Sequence, residues 1–139
     1  MSLQTENKAL VERYFNEVIA KHNLDAIEEF IPAEAIDHSV PPGTPQGAEG
    51  TRIAFTNFFN AFPDFEDKID FAIADGDKVV AHVKFSGTHQ GEFQGMKATG
   101  KHFTTNGIEV LRIADGKLVE RWFWFDTMGM LQQLGIMGG

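Results

Sequence analysis

The sequence contains no cysteine and five histidines, so thiolate nucleophiles and thiolate metal sites are excluded, and chemistry falls to carboxylates, imidazoles and hydroxyls. The carboxylate in the most suggestive setting is Asp126, which follows the aromatic run Trp122-Phe123-Trp124-Phe125. A carboxylate among Trp and Phe loses hydration when charged; its pKa then rises, and it can take up and return a proton near neutral pH. The same Asp precedes Thr127 and an apolar helical pattern, where a helix N-cap is equally well served. Glu109 is the second carboxylate of interest, facing a pocket or held by Arg112, Arg121 or a solvated rim. His38, in the loop Asp37-His38-Ser39-Val40-Pro41, is placed to reach over a pocket mouth as donor or acid/base group, or to be a plain loop residue. His82, His89 and His102 lie in or beside strands at no recognised ligand spacing, and no HExxH occurs, so no metal is expected. No serine stands in a GxSxG setting.

These residues need elements to position them. Apolar residues at Leu10, Val11, Tyr14, Phe15, Val18 and Ile19 recur at helical spacing and predict an amphipathic first helix. Asn23 is a candidate cap for a short second helix, Leu24 to Phe30, ended by Pro32. The Pro- and Gly-rich stretch from Pro32 to Gly50 reads as loop, with a short extended piece at Ala35 to Val40. A third helix, Ala48 to Phe62, carries Phe55, Phe58 and Phe59 and stops at Pro63.

The pattern then changes to strands: Lys68 to Ala74, a turn at Asp75-Gly76, and Lys78 to His89, followed by His102 to Ile113, a turn at Asp115-Gly116, and Lys117 to Asp126. Residues Thr127 to Leu134 suit a last short helix. Helices first and antiparallel hairpins afterwards indicate an α+β fold, with the helices on one face of the sheet. That order, and the lack of a GxGxxG or Walker loop opening a helix, exclude a doubly wound nucleotide fold.

A two-residue turn at Asp115-Gly116 with unbroken pairing sets Ile113 opposite Leu118, Glu109 opposite Trp122 and Thr105 opposite Asp126. Alternation then gathers Trp122, Trp124, Asp126 and Glu109 on one face, and Val119, Arg121, Phe123 and Phe125 on the other. The first face mixes aromatic surface with carboxylates and is assigned to a pocket, with Trp122, Trp124, Glu109, Phe55 and Phe59 as its lining. Both faces are apolar, so the outer one predicts a homodimer.

At 139 residues the chain suits one domain spanning residues 1–139. A net charge of -8 argues against nucleic acid, whose phosphates call for clustered Lys and Arg. No apolar run approaches the ~20 residues that span a bilayer, and the N-terminus lacks the features of a signal peptide, so no membrane and a cytoplasmic location are expected.

The run Gly87-Thr88-His89-Gln90-Gly91-Glu92-Phe93-Gln94-Gly95, with Thr99-Gly100-Lys101, Gly116 to Trp122, Asp126 and Gln133-Leu134-Gly135, resembles the SnoaL-like polyketide cyclase family, and Asp37-His38 and Phe62-Pro63-Asp64 fit it too. The resemblance covers nearly the whole chain. It implies the cone-shaped nuclear transport factor 2-like fold, with N-terminal helices on a strongly bent, mostly antiparallel sheet around a hydrophobic pocket. It further implies cofactor-free acid/base chemistry on a hydrophobic carbonyl compound, with intramolecular aldol ring closure of a polyketide ester. Asp126 matches the family's acid/base aspartate, and His38 and His89 are the candidate donors assisting it. A non-catalytic small-ligand-binding or dimerisation module is the competing expectation, and an epoxide hydrolase or dehydratase with Glu109 holding a water is a third.

Overall fold

The computed structural model describes residues 2–136. Helix α1, Leu3–Tyr14, starts at Ser2, whose hydroxyl accepts the Thr5 N–H, a standard N-cap. It runs directly into a π-helical turn, Phe15–Ala20. A 3-10 turn, Leu24–Ala26, leads into α2, Ile27–Phe30, where the second helix was expected. Asn23 makes no side-chain cap bond there. Strand β1 is only Ile36–Asp37, inside the predicted extended piece, and α3 spans Gly47–Ala61.

Four long strands follow: β2 (Glu66–Asp75), β3 (Lys78–Thr88), β4 (His102–Ala114) and β5 (Lys117–Phe125), with α4 (Thr127–Gln133) last. The sheet order is β1-β5-β4-β3-β2, with β1 parallel to β5 and every other pairing antiparallel. This is the α+β arrangement of helices and a mixed sheet that the sequence indicated.

The second hairpin turns where expected. Ala114 pairs with Lys117, and Asp115 and Gly116 both have positive φ, 52° and 72°, as a two-residue primed turn requires. The first hairpin closes at Asp75 and Lys78, so its loop is Gly76-Asp77, one residue later than predicted.

The pairing expected along β4 and β5 is corrected by a bulge. Ile113 faces Leu118, but the next pair is Arg112 with Glu120, which leaves Val119 as an extra residue. One extra residue exchanges the faces of everything beyond it. Glu109 therefore faces Phe123 rather than Trp122, and Arg121, Phe123 and Phe125 join Glu109 and Leu111 on the concave side. A second bulge, at Asp70 in β2, falls between Ile69 and Phe71.

Trp122 and Trp124 consequently sit on the outer face. The register there builds two rungs across four strands, Trp124–Ile108–His82–Phe71 and Trp122–Val110–Val80–Ile73. Trp124 is 62% exposed and Ile73 61%, so much of this apolar surface meets solvent.

The concave side is filled by phenylalanines. Phe62 packs edge-on against Phe93 and Phe103, with ring centroids 5.3 and 5.1 Å away, the geometry that ring quadrupoles favour. The Gly87-to-Gly95 stretch forms the seam between α3 and the sheet. A Cβ on Gly87 would lie 2.8 Å from Cβ of Phe62, and one on Gly91 would lie 2.4 Å from the Asn60 carbonyl oxygen; both sites need glycine. Thr88 donates through its N–H and its hydroxyl to the two carboxylate oxygens of Asp64, at 2.7 and 2.8 Å. Its position after Phe62-Pro63 lets Asp64 tie the end of α3 to the end of β3.

Candidate functional site

Inside this aromatic shell lies a cluster of ionisable groups. Arg121 on β5 donates from Nε to Glu109 Oε1 at 2.6 Å and from Nη1 to Asp37 Oδ2 at 2.8 Å. Glu109 is 2% exposed, and the Arg121 guanidinium also lies over the Phe123 ring, 4.6 Å from its centroid. Burial acts to lower the pKa of Arg121, but the charges of Glu109 and Asp37 outweigh it and hold the guanidinium ionised. The other oxygen of Asp37 accepts the Ser39 N–H, and the parallel pairing of β1 with β5, Asp37 beside Arg121, brings the two residues together. Tyr14 of α1 completes the group; burial first, and then the charge of Glu109, push its hydroxyl pKa upward.

Tyr14, Asp37, Thr51, Leu111, Leu118 and Arg121 line a narrow cleft of only about 20 Å³. A second, open groove of about 620 Å³ lies between the first helix and β2, with Phe15, Asn16, Asp67 and Ile69 among its walls. Asp67 is in phase with the inward residues Phe65 and Ile69. Burial raises its carboxyl pKa, the charge of Glu109 adds to the rise, and Arg121 opposes it, leaving the group pushed up to about 8. Its Oδ1 is sealed from solvent and has no hydrogen-bond partner.

The residues singled out in the sequence are dispersed. Asp126 caps α4: its Oδ1 accepts the Gly129 N–H at 2.9 Å, and the residue is exposed. Among the described residues its Oδ2 has no hydrogen-bond partner. Its carbonyl accepts the Thr105 hydroxyl at 3.2 Å, but its N–H donates to the Asn106 carbonyl at 3.1 Å, so past the bulge Asn106, and not Thr105 as expected, stands opposite Asp126. Glu109 is held by Arg121, and Trp122 and Trp124 lie across the sheet from it; the expected grouping of Trp122, Trp124 and Asp126 with Glu109 is therefore corrected.

His38 stands on the β1 side of β5. Its Nε2 is 2.6 Å from Glu120 Oε2, and its ring stacks on Trp122 with centroids 4.8 Å apart. Arg112 reaches the other oxygen of Glu120 at 2.7 Å, and the bonds from His38 and Arg112 hold the Glu120 carboxyl below its usual range. Arg121, whose carbonyl accepts the His38 N–H, precedes Asp126 by five strand positions, about 16 Å. His38 and Asp126 therefore do not meet. His89 is fully buried. Its Nδ1 accepts the Thr99 N–H at 3.3 Å, which makes Nε2 the protonated nitrogen, and Nε2 has no partner. Phe62 packs beside the ring at 5.4 Å. Phe55 and Phe59 stack on each other at 5.6 Å, and Phe59 stacks on His22 at 3.8 Å; they cover the α3 side of the core and line neither cleft.

Tyr14, Asp37 and Asp67 were not singled out for chemistry in the sequence, and Arg121 entered only as a holder of Glu109. Asp67 had a detectable signal, an acidic residue in phase with Phe65 and Ile69. Among the described residues no three His, Asp or Glu side chains are grouped to hold a metal ion, and no helix is long and apolar enough to cross a membrane.

Comparison with known proteins places these features in context. Residues 9–134 match the family model described as SnoaL-like polyketide cyclase. The chain is 32% identical over 115 residues to the aklanonic acid methyl ester cyclase DnrD of Streptomyces peucetius, covering 80% of this chain and 79% of that protein. It is 37% identical over 60 residues to the nogalonic acid methyl ester cyclase of Streptomyces nogalater, covering 43% of this chain and 45% of that one. Among solved structures, TsrD from Streptomyces laurentii superposes with a TM-score of 0.88 at 25% identity, over 99% of this chain and 100% of that one.

Proposed function

The chain belongs to the SnoaL-like polyketide cyclase family, and from that membership we propose that it closes a ring in a polyketide ester by an intramolecular aldol reaction, using general acid/base catalysis without a cofactor. The relatives that are methyl ester cyclases support the substrate class. A flat, largely apolar carbonyl compound suits an aromatic interior and a chain whose net charge is -8.

The observation that carries the reading is the state of Asp126. One carboxylate oxygen is fixed by the Gly129 N–H, and the other is unengaged among the described residues, so a single carboxylate both caps α4 and retains a lone pair for a proton. In the proposed reaction Asp126 removes a proton from a carbon between two carbonyls. The resulting enolate attacks a second carbonyl of the same molecule, forming the new C–C bond, and the alkoxide takes up a proton. All atoms of the substrate remain in the product. His38 and His89 do not reach Asp126, so the reading rests on the carboxylate without either imidazole.

The test is turnover of aklanonic acid methyl ester by the protein and by Asp126→Asn, with circular dichroism as the check on folding. Loss of about 10²-fold or more in kcat by a folded Asp126→Asn is expected. Undiminished turnover by that variant would remove Asp126 from the mechanism, and absence of turnover by the unaltered protein with retained binding would favour a ligand-binding module.

A second reading, addition of water as in an epoxide hydrolase or dehydratase, is favoured by one arrangement: Asp37 and Arg121 line the same cleft as Tyr14. Glu109, the residue expected to hold the water, is instead committed to Arg121. The outer face is also proposed as a homodimer surface, because its two apolar rungs lie open across four strands.

A further inference from the structure

Asp126 leaves the sheet where β5 ends. Its N–H still reaches the Asn106 carbonyl, but its ψ has fallen to 80°, short of strand values. A general base works only within hydrogen-bond reach of the proton it takes, and a misplacement of about 1 Å can cost about 10²-fold in rate. An exposed side chain just past a strand end has several rotamers open to it, so its carboxylate needs a fixed surface to rest on.

Gly129 supplies that surface. Its N–H donates to Oδ1 at 2.9 Å. A Cβ on Gly129 would lie 2.8 Å from Cγ of Asp126, 3.1 Å from Oδ1 and closer still to Oδ2, so the carboxyl group occupies the space that any other residue would fill. When a methyl group meets a short exposed side chain, the side chain moves and the helix backbone stays. An alanine at 129 therefore displaces the carboxylate.

Gln133 holds α4, and Gly129 with it, on the sheet. Carried on at the register of Gly107 with Phe125, β5 would set Met128 opposite Thr104. The chain turns into α4 instead, and the Gln133 side chain makes both bonds of that pair, accepting the Thr104 N–H at 2.8 Å and donating to the Thr104 carbonyl at 3.0 Å. Leu134 beside it is fully buried, which gives the run Gln133-Leu134-Gly135 a task that the reaction drawn above does not use.

We propose that Gly129 and Gln133 are positioning residues for Asp126: Gly129 sets the carboxylate through its N–H and its missing side chain, and Gln133 sets Gly129 by locking α4 to β4. The use of the carboxylate rests on the cyclase reading; its placement rests on the geometry alone.

The test joins turnover of aklanonic acid methyl ester to a resonance that needs no turnover. Gly129→Ala should lower kcat by about 10²-fold with KM unchanged, because the reacting group is displaced and the binding surface is not. Its melting temperature should hardly move, since alanine gains in helix propensity about what the lost cap removes. Gln133→Leu removes both bonds to Thr104 and should lower kcat about tenfold. Gln132→Ala, at an exposed position of the same helix, should leave kcat as it is. In an Asp126→Asn background neither Gly129→Ala nor Gln133→Leu should cost anything further, since both act through that carboxylate.

In proton–nitrogen correlation spectra the amide proton of residue 129 should shift as Asp126 is titrated with acid, in the unaltered protein and in Gln132→Ala. It should stay still in Asp126→Asn, Gly129→Ala and Gln133→Leu. Full kcat in Gly129→Ala, a further loss in the Asp126→Asn background, or an acid shift that is missing from the unaltered protein or persists in Gly129→Ala or Gln133→Leu overturns the proposal. Undiminished turnover by Asp126→Asn, or none by the unaltered protein, overturns the cyclase reading instead, and the resonance then decides the placement by itself.

Discussion

Arg121 and Glu109 form a 2.6 Å ion pair on the concave face of the sheet, diagonally across β4 and β5. Asp37 closes the second side of the guanidinium at 2.8 Å. Two carboxylates share one cation in a setting with little water, and removing the cation strands both. Arg121→Met should therefore lower stability by about 3–5 kcal/mol, read as a shift in the urea midpoint. Glu109→Gln leaves Arg121 paired with Asp37 and should cost less. Equal losses from the two variants would mean that the cluster is not organised around Arg121.

Asp67 gives stability a pH dependence of defined sign. Its carboxyl is pushed up to about 8 in the fold and lies near 3.9 in an unfolded chain. Between those values the folded state holds a proton that the unfolded state has lost, so the contribution from this group is full below about pH 4 and declines as pH rises to about 8, by at most ~1.4 kcal/mol per unit. Asp67→Leu should match the unaltered protein in melting temperature at pH 4 to within the packing change, and exceed it increasingly up to pH 8. A gap that stays constant from pH 4 to 8 would show that Asp67 ionises normally.

The bulge at Val119 makes a sharper demand on the chain than on the side chain. Val119→Ala preserves the count of residues and should cost about 1 kcal/mol or less at this half-buried site. Deleting Val119 restores plain alternation, turns Arg121, Phe123 and Phe125 outward, and exposes the charge cluster it leaves behind. The deletion variant should fail to give a cooperative thermal transition. If it melts as the parent does, the bulge does not set the faces of β5.

The outer rungs predict an oligomeric state. Trp124→Lys and Ile108→Lys place charge at neighbouring positions in the middle of the exposed apolar face, and sedimentation velocity should show a dimer for the unaltered protein and monomer for the double variant, with unchanged circular dichroism. A monomeric unaltered protein at tens of micromolar would remove the homodimer.

The order of elements was legible because each long element carries its own period. The first helix shows 3.6-residue spacing, the strands alternate, and Asp115-Gly116 has the turn chemistry that positive φ requires. The site was less legible, because it depends on single-residue events. Val119 adds one residue without any Gly or Pro to announce it, and that is enough to send Trp122 and Trp124 outward and Arg121 inward. The pairing of Asp37 with Arg121 arises from a two-residue parallel strand, which has too little length to show a period. Asp67 is different in kind. Its phase with Phe65 and Ile69 was readable, but an acidic residue in a strand ordinarily signals the solvent side.

The end of the sheet past Phe125 is closed without a strand. Where β5 stops, the Gln133 side chain of α4 accepts the Thr104 N–H at 2.8 Å and donates to the Thr104 carbonyl at 3.0 Å, so one primary amide occupies the place of a missing peptide. Met130 and Leu134 anchor the same segment in the core, and Asp126 caps its start. Detaching α4 thus breaks side-chain contacts and leaves every rung of the ladder intact. In hydrogen-exchange terms, the amides of α4 and of Thr104 belong to a separate unit whose release is cheaper than global unfolding, and the carboxylate at its hinge is Asp126, to which the proposed ring closure assigns the proton.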